Sequence, residues 1–291
     1  MKDLLKKAWH CVYNSIHELR SEIKIFKVRI EPIRFGVNKQ LRETPIIVSM
    51  TSYDKRFSTL NICIKSLLRQ TYKPDRIILY LAEKDRRALT KEIISLKKFG
   101  LEIIYVDEDL RPHKKYYYAM KDNPDAIVIT VDDDCIYSPK LIEYLIKTNK
   151  IFPNAITAAR ARKIEADKNG FLAYNKWNLA TISNKPSDQL IATGVGGVLY
   201  PPHLLDPNLL LNKSEIKKYI QVDDLWLKTV EILNHVPTVV CDKRIDEKRI
   251  EIPSAQSIGL TQTNVLKNEN DLYWSKLDKE YNLFDKLSHQ K

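Results

Sequence analysis

Three consecutive aspartates, Asp132, Asp133 and Asp134, follow a run of apolar and β-branched residues at 126–131. Like charges held close repel one another and lose hydration when buried, so this cluster does not stabilise a fold by itself. We therefore expect a positive group beside it. Because side chains alternate along an extended chain, Asp132 and Asp134 are expected to point the same way and to share one divalent cation. Mg²⁺ and Mn²⁺ take oxygen ligands and commonly bind one or two carboxylates together with substrate phosphates.

The aspartates have a simpler interpretation as well. They could cap the turn and the helix that follow, as acidic residues often do. A second acidic pair, Asp223 and Asp224, stands in the first turn of a helix predicted over 222–236, where the helix dipole favours negative charge. Both clusters therefore allow a functional and a structural interpretation.

The order of strands and helices places the first cluster at the edge of a sheet. Apolar runs at 45–50, 76–82, 101–106 and 126–131 predict four strands, and helical spacing of apolar residues between them predicts helices. Strands and helices that alternate in this way imply an α/β fold with a mostly parallel sheet covered on both faces. Ligands of such sheets bind outside the carboxyl ends of the strands. The aspartates lie at that edge.

The second half of the chain has a looser pattern. Ser138 and Pro139 predict the N-cap and first residue of a further helix. Residues 156–164 are a strand candidate in which Arg160 and Arg162 point the same way and could meet phosphate or an acceptor.

A glycine-rich stretch at 192–202 holds three of the chain's seven glycines, Gly194, Gly196 and Gly197. Glycine permits close approach of the backbone and positive φ angles, so the stretch predicts either a bend against a ligand or a simple turn.

The net charge of +11 and the isoelectric point near 9.3 indicate an anionic partner: a nucleic acid, an anionic membrane surface or a phosphorylated small molecule. No helix-turn-helix, RNP-like or zinc-finger pattern supports a nucleic acid. The four cysteines stand far apart without a CxxC pair, which argues against a zinc site and a disulfide framework and favours the cytosol. No stretch approaches 18 apolar residues and no signal peptide is visible, so we expect a chain that neither spans a membrane nor is exported.

Residues 1–44 carry ten basic and five acidic side chains. Apolar residues recur there at helical spacing, which predicts an amphipathic basic helix: Leu5, Trp9, Val12, Ile16, Leu19, Ile23 and Phe26. Such a helix could lie on anionic lipid or pack on the domain or on a partner chain.

Five blocks of the sequence together resemble a known family: VSMTSYDKR, DLRPHKKYYYAM, TVDDDCIY, TGVGGVLYPP and DDLW. Their order and spacing, over roughly residues 45–240, are similar to those of bacterial glycosyltransferases with the GT-A fold that build cell-surface polysaccharides. The resemblance implies a Rossmann-like, mostly parallel sheet and transfer of a sugar from a nucleoside diphosphate, UDP being favoured, to a saccharide acceptor. It also implies Mn²⁺ or Mg²⁺ on Asp132 and Asp134, with Asp134 as the first choice of direct ligand.

The same resemblance assigns further roles. Asp224, with Asp223 beside it, falls where inverting members place the general base that deprotonates the acceptor hydroxyl. Gly194, Gly196 and Gly197 fall on the sugar or acceptor pocket. The residues implied in donor binding are Thr51, Ser52, Tyr53, Arg56, Lys114, Lys115, Asp132 and Asp133.

Simpler interpretations stay open for part of this set. The segment around Tyr53 could be a surface turn, and Lys114 with Lys115 could be a solvated helix face. The resemblance leaves a third metal ligand unassigned, although His203 and His235 are available.

These inferences divide the chain into a basic helical segment (1–44), a catalytic domain (45–241) and a C-terminal extension (242–291). The catalytic domain would comprise a nucleotide-binding half (45–137) and an acceptor half (138–241). A cytoplasmic enzyme at the inner membrane face with a lipid-linked acceptor fits the basic segment. The competing hypotheses are a nucleotidyltransferase or an Asp-nucleophile phosphatase, but the first requires a phosphate loop after strand one that TSYDKRFS lacks.

Overall fold

The computed structural model describes residues 19, 21–180, 185–242, 244–256 and 269–288. The strands in chain order are β1 (Ile46–Thr51), β2 (Arg76–Ala82), β3 (Leu101–Val106), β4 (Ile127–Val131), β5 (Cys135–Ile136), β6 (Ile156–Ala158), β7 (Ala161–Lys163), β8 (Ala166–Asp167), β9 (Gly170–Phe171), β10 (Leu190–Ala192), β11 (Val198–Tyr200), β12 (Thr238–Val240) and β13 (Ile250–Glu251).

The helices in chain order are α1 (21–30), α2 (Phe57–Leu67), α3 (Lys91–Ser95), α4 (Lys114–Asp122), α5 (Leu141–Ile151), α6 (Pro207–Leu210), α7 (Lys213–Lys218), α8 (Asp223–Leu233), α9 (Arg244–Glu247), α10 (Pro253–Gln256), α11 (Glu269–Tyr281) and α12 (Leu283–Ser288). Short 3₁₀ helices cover Asp54–Arg56, Glu83–Ala88, Leu96–Phe99, Arg111–His113, Tyr174–Lys176 and Gly194–Gly196.

A seven-stranded sheet in the order β12-β6-β11-β4-β1-β2-β3 forms the centre of the molecule. Six of its strands run parallel, and β11 runs antiparallel to both of its neighbours. The predicted fold class, a mostly parallel α/β sheet flanked by helices, is confirmed. The carboxyl ends of β1, β2 and β4 meet at one edge, where the three aspartates follow β4.

Strand β1 shows how the sheet is covered on both faces. Ile46, Val48 and Met50 belong to the apolar cluster that includes helix α2, whereas Ile47 belongs to the cluster on the other side with Ala119 of α4. Side chains of successive residues in a strand point to opposite faces, so a strand that is apolar on both sides must be covered twice. The first four predicted strands are confirmed to within one residue at each end.

Two predictions beyond β4 are wrong in detail. Residues 156–164 do not form one strand: β6 belongs to the central sheet, β7 pairs with β10, and Arg160 lies in the bend between them. Helix α5 begins at Leu141 rather than at Pro139, because Ser138 accepts the Leu141 N–H in a turn that precedes the helix.

The C-terminal segment is integrated into the fold. Strand β13 pairs antiparallel with β5, directly after the aspartates. Helices α11 and α12 pack on α8, and Trp274, Leu277 and Leu283 share one buried cluster with Trp226.

Helix α1 packs on the domain. Val28 is buried in the core beside α2, and Ile25 and Ile33 are partly buried there. The predicted helical positions Leu5, Trp9, Val12 and Ile16 lie outside the described residues. In the part of the chain that the structure covers, no helix has the length and apolar character needed to cross a bilayer.

Candidate active site

The three aspartates have two different positive partners. Strand β4 ends at Val131, so the alternation of an extended chain stops before Asp132. Asp132 pairs with Lys115 (Nζ–Oδ1 2.6 Å), whereas Asp133 and Asp134 both pair with Arg56. That Asp132 and Asp134 face the same way and share one cation stays a prediction.

Arg56 is the positive partner of the last two aspartates. Its Nη1 donates to Asp133 Oδ1 and lies 3.2 Å from Asp134 Oδ2, and Ser52 Oγ donates to Asp133 Oδ2 at 2.5 Å. Burial opposes the charged guanidinium, but Asp133 and Asp134 outweigh it and raise the pKa of Arg56. Burial likewise raises the pKa of Asp133 to about 6, against the attraction of Arg56. Two predicted donor-binding residues, Ser52 and Arg56, thus lie against the aspartates.

Lys115 joins the two acidic clusters. Its ammonium group is buried and lies 2.6 Å from Asp132 Oδ1 and 2.8 Å from Asp223 Oδ2. Burial opposes the charge on Lys115, but Asp132, Asp223 and Asp224 outweigh it and raise its pKa well above the ordinary value. Ser49 Oγ donates to the Lys115 carbonyl and fixes the start of α4 against β1.

Gly194 lies where the two clusters meet. A Cβ atom on it would stand 2.8 Å from Lys115 Nζ, 3.1 Å from Asp132 Oδ1 and 3.2 Å from Asp224 Oδ1. The Gly194 N–H donates to both carboxylate oxygens of Asp224 at 3.2 Å. A larger residue would therefore force these groups apart. This close approach explains why glycine is needed at position 194, one of the three predicted pocket glycines.

The acidic pair stands in the first turn of α8, but it does not cap that helix. Val222 is the N-cap residue, and no side chain caps the helix there. Burial is the strongest influence on both carboxyl groups. Lys115 and His113 outweigh it and lower the pKa of Asp223, whereas burial and the neighbouring Asp223 charge raise the pKa of Asp224. Of the two, Asp224 is the carboxyl group suited to accept a proton near neutral pH.

The other predicted residues are distributed around this centre. Lys114 is buried and pairs with Asp109, so it is not brought to the aspartates. The Thr51 hydroxyl donates to the Tyr80 carbonyl. The Arg56 guanidinium lies over the Tyr53 ring, with its Cζ atom 5.9 Å from the ring centroid. The interpretation of the two lysines as a solvated face is wrong, because both are buried.

The second half of the glycine stretch contacts other parts of the chain. A Cβ atom on Gly196 would meet Arg160, and one on Gly197, whose φ is +94°, would meet Leu141. Arg160 and Arg162 do not alternate on one strand, because Arg160 lies in the bend before β7, and Arg162 Nη1 donates to the Trp177 carbonyl at 2.7 Å.

The two candidate histidines lie far from the aspartates. His203 follows the antiparallel strand β11 and pairs with Asp125, which precedes β4, at 3.0 Å. His235 precedes β12, which runs parallel to β6 and hence to β4. Both therefore stand at the amino edge of the sheet, opposite the aspartates.

Two further contacts hold the loop of the aspartates, one from Tyr137 inside the block TVDDDCIY and one from a segment outside the five blocks. The Tyr137 hydroxyl accepts the Asp132 N–H at 2.9 Å and donates to the Asp132 carbonyl at 3.1 Å. The Ile252 N–H donates to the Asp134 carbonyl at 2.8 Å, and Arg249 donates to the Cys135 thiol at 3.2 Å. Residues 249–252 lie in a polar segment without periodicity, so no signal in the sequence links them to the site.

The aspartates suit Mg²⁺ or Mn²⁺ by their chemistry. Both ions prefer carboxylate oxygens and complete their coordination with substrate phosphates and water. Asp132 has the most exposed side chain of the three (30%), followed by Asp134 (13%) and Asp133 (8%). Among the described residues no group of three or more metal-ligating side chains forms.

Comparison with protein families gives a match to the glycosyl transferase family 2 model over residues 47–197. This range is just over half of the chain and includes β1, the aspartates and the glycine stretch. The chain belongs to glycosyl transferase family 2. The family match favours sugar transfer over the nucleotidyltransferase and phosphatase hypotheses. The matched range of this family 2 enzyme ends before the acidic pair of α8.

Three solved structures are similar to this family 2 glycosyltransferase at a distance. A mannosyltransferase from Pyrobaculum calidifontis in complex with GDP-Man and Mn²⁺ is 11% identical, with a TM-score of 0.45 over 80% of this chain and 66% of that one. S. aureus TarS (residues 1–349) with UDP is 11% identical, with a TM-score of 0.43 over 68% and 59%. Glucosyl-3-phosphoglycerate synthase from Mycobacterium tuberculosis, with Mn²⁺, UDP-glucose and phosphoglyceric acid, is 14% identical, with a TM-score of 0.31 over 40% and 43%.

The enzyme thus covers less than two thirds of the length of each of these structures. Likenesses this remote assign it no donor, acceptor or metal. A comparison with curated proteins gives no match.

Proposed function

We propose that this family 2 enzyme transfers a sugar, with inversion and with the help of a divalent metal, from a nucleoside-diphosphate sugar to a saccharide acceptor. The observation that carries the proposal is the convergence at Gly194 of Asp132, at the end of β4, and Asp224, in the first turn of α8. In this proposal, one carboxylate cluster serves the donor diphosphate and the other serves the acceptor hydroxyl.

The donor half of the site consists of the carboxyl edge of β1 and β4. Tyr53 offers a ring for the nucleoside base. The hydroxyls of Thr51 and Ser52 already donate to the Tyr80 carbonyl and to Asp133, so they would serve the donor as acceptors. Asp132 and Asp134 would hold Mn²⁺ or Mg²⁺, which when bound neutralises charge on the leaving diphosphate. Lys115, already between the two clusters, adds a fixed positive charge beside the same place.

The acceptor half is organised around Asp224. Its pKa, which burial and Asp223 raise, favours it as the base that takes the proton of the attacking hydroxyl. The Gly194 N–H holds its carboxylate in place, and Asp223 holds Lys115. Attack from the side opposite the leaving diphosphate would invert the anomeric centre.

We further propose that the acceptor is a saccharide of a surface polysaccharide under assembly, carried on a lipid at the inner face of the cytoplasmic membrane. The basic N-terminal segment and the net charge of +11 support a site of action beside anionic lipid. The division into a basic segment at 1–44, a catalytic part at 45–241 and a C-terminal part at 242–291 belongs to this proposal.

Calorimetric titration of UDP and GDP with and without Mn²⁺ tests the donor half. We expect UDP to bind in the presence of Mn²⁺ and Asp134→Ala to lose that binding while its thermal unfolding stays cooperative. Binding of a nucleotide that is equally tight without any metal would refute metal dependence. If no nucleoside diphosphate binds under any metal condition, the donor site itself is refuted.

Transfer assays with Asp224→Asn test the acceptor half. We expect kcat to fall by about 10²–10⁴ while UDP affinity changes little, since general base catalysis commonly contributes that much. The anomeric configuration of the product, read by NMR, tests inversion directly. Retention of configuration, or an unchanged kcat in the variant, would remove Asp224 from the role of base.

A further inference from the structure

Helix α1 has two apolar faces. One packs on the core through Val28 and Ile25. The other consists of three residues that are each 49–62% exposed: Ile23, Phe26 and Ile30. At about 100° per residue, these three positions fall within an arc of about 60°, so they form one continuous outer stripe.

Contacts from the domain fix the direction in which the outer stripe points. Lys65 Nζ and Arg69 Nη1 of α2 donate to the carbonyls of Arg29 and Val28 at 3.1 Å. Positive side chains at the last carbonyls of a helix stabilise its C-terminus. At the other end, Lys24 Nζ donates to the Lys248 carbonyl at 2.8 Å. The helix is therefore held along its inner side, with the outer stripe turned away from the core.

Two exposed basic residues and one exposed acidic residue flank the outer stripe. Lys27 lies on one side of it, and Arg29 and Glu22 lie on the other. Beyond the C-terminal end of α1 lies a groove of about 440 Å³ with Arg34, Lys39 and Lys73 in its lining. An apolar stripe flanked by positive charge is the arrangement of helices that lie in the interface of an anionic bilayer.

We infer that the outer stripe of α1 inserts among the headgroups of an anionic bilayer, with the flanking basic residues on lipid phosphates. A second copy of the chain fits less well, because a twofold contact through the stripe would bring Lys27 and Arg29 near their own counterparts. The charge and the apolar stripe thus favour the same occupant.

This surface also stands in a defined relation to the active site. Lys248, which holds the N-terminal half of α1, directly precedes the segment that pairs with β5 and reaches the Asp134 carbonyl. The N-terminal half of α1 therefore lies near the carboxyl edge of the sheet, whereas the basic groove lies at the amino edge, next to the residues that precede β2 and β3. That this placement brings the active site to a lipid-linked acceptor rests on the proposed function. Binding to the bilayer does not depend on the proposed function.

Vesicle sedimentation of the full chain tests the surface. We expect binding to phosphatidylcholine vesicles with roughly 30% phosphatidylglycerol and much weaker binding to phosphatidylcholine alone. The variant Ile23→Ser/Phe26→Ser/Ile30→Ser should lower the partition coefficient about tenfold or more. A matched control is Ile94→Ser/Ile151→Ser/Leu272→Ser, which removes apolar residues of similar exposure (47–70%) elsewhere and should bind as the parent does.

Charge is tested by Lys27→Glu/Arg29→Glu, which should weaken binding, against Lys91→Glu/Lys121→Glu, two exposed lysines away from the stripe. Unchanged vesicle binding in the triple serine variant would overturn the inference. So would a parent chain that is a dimer by light scattering and becomes monomeric in that variant. UDP titration on the same proteins separates the two proposals. A parent chain that binds UDP but not anionic vesicles refutes only the surface, whereas a parent chain that binds vesicles but no nucleoside diphosphate refutes only the proposed function.

Discussion

At the scale of single residues, Lys115 decides how the site is held together. Its buried ammonium group compensates Asp132 and Asp223, which come from different halves of the chain. Lys114 beside it is equally buried but pairs with Asp109, a partly exposed carboxylate that also meets Lys84. These two neighbouring lysines thus have different partners. Comparison of their variants distinguishes an effect on the candidate active site from the general cost of removing a buried charge.

We expect Lys115→Met to destabilise the protein by about 3–5 kcal/mol, because removal of one partner leaves buried carboxylates uncompensated. Sugar transfer should be lost as well. Lys114→Met is the matched control: Asp109 keeps Lys84, so the loss of stability should be smaller and UDP should still bind. Urea unfolding and UDP titration of both variants measure this. Equal effects of the two substitutions on UDP binding would contradict the role given to Lys115.

His113 gives a prediction for the dependence of stability on pH. It is fully buried between the Tyr116 hydroxyl (2.9 Å) and the Tyr219 carbonyl (3.0 Å), and burial lowers its pKa to about 4. The unfolded chain, with a pKa near 6.5, binds a proton first as the pH falls, so stability is full above pH 6.5 and is lost towards pH 4. The loss should reach about 3 kcal/mol, at about 1.4 kcal/mol per pKa unit.

Thermal unfolding of the parent and of His113→Gln between pH 7 and pH 4 measures this contribution. The variant should be less stable at pH 7 but should lose less stability on acidification than the parent does. Parallel curves for the two proteins over this range would show that His113 does not titrate as its burial indicates.

At the scale of elements, strand β13 holds the loop that carries the aspartates. It pairs with β5, and the Ile252 N–H reaches the Asp134 carbonyl. Arg249, at the start of this segment, is buried and contacts Asp246, Glu251 and the Cys135 thiol. A piece of the chain far from the glycosyltransferase motifs thus supports the proposed metal loop.

We expect Arg249→Met to loosen this loop. Loss of its hydrogen bonds to charged groups should cost about 1–3 kcal/mol of stability. UDP affinity in the presence of Mn²⁺ should fall about tenfold, which corresponds to about 1.4 kcal/mol. Lys248→Met is the control, since only the carbonyl of Lys248 takes part in the contact to Lys24. Unchanged UDP affinity in Arg249→Met would show that β13 supports the fold and not the site.

At the scale of the whole molecule, the C-terminal helices share a core with the acceptor half. Trp274 and Leu277 of α11 are buried in the same cluster as Trp226 of α8, the helix that begins with the acidic pair. Packing on the outside of α8 therefore contributes to the position of Asp224 at its start.

We expect Leu277→Ala to destabilise the protein by about 2–5 kcal/mol, the range for a large-to-small change in a packed core. Leu272→Ala, on the same helix but 55% exposed, should change stability by no more than about 0.5 kcal/mol. Denaturant unfolding of both variants provides the test. A small effect of Leu277→Ala would mean that α11 is only loosely attached to the catalytic core.

The sequence by itself determined the central strands and the chemistry of the edge. Periodicity located β1 to β4 because burial of both faces of a parallel sheet leaves continuous apolar runs. Gly100, at φ +107°, ends the 3₁₀ helix Leu96–Phe99, since a left-handed C-terminal position favours glycine. The aspartates had to follow β4, because the apolar run stops there.

Tertiary structure decided which charged groups meet. The direction of Asp132 and Asp134 depends on the path of the backbone after the ladder of β4 ends, which no alternation rule describes. Asp132 and Asp224 come together at Gly194 because α8 and the glycine stretch pack against the sheet. Strand β13 pairs with β5 over only two residues, which is too short to leave a periodic pattern in the sequence. Local patterns report which side of an element is buried, whereas the partner of a buried charge is set by the packing of distant segments.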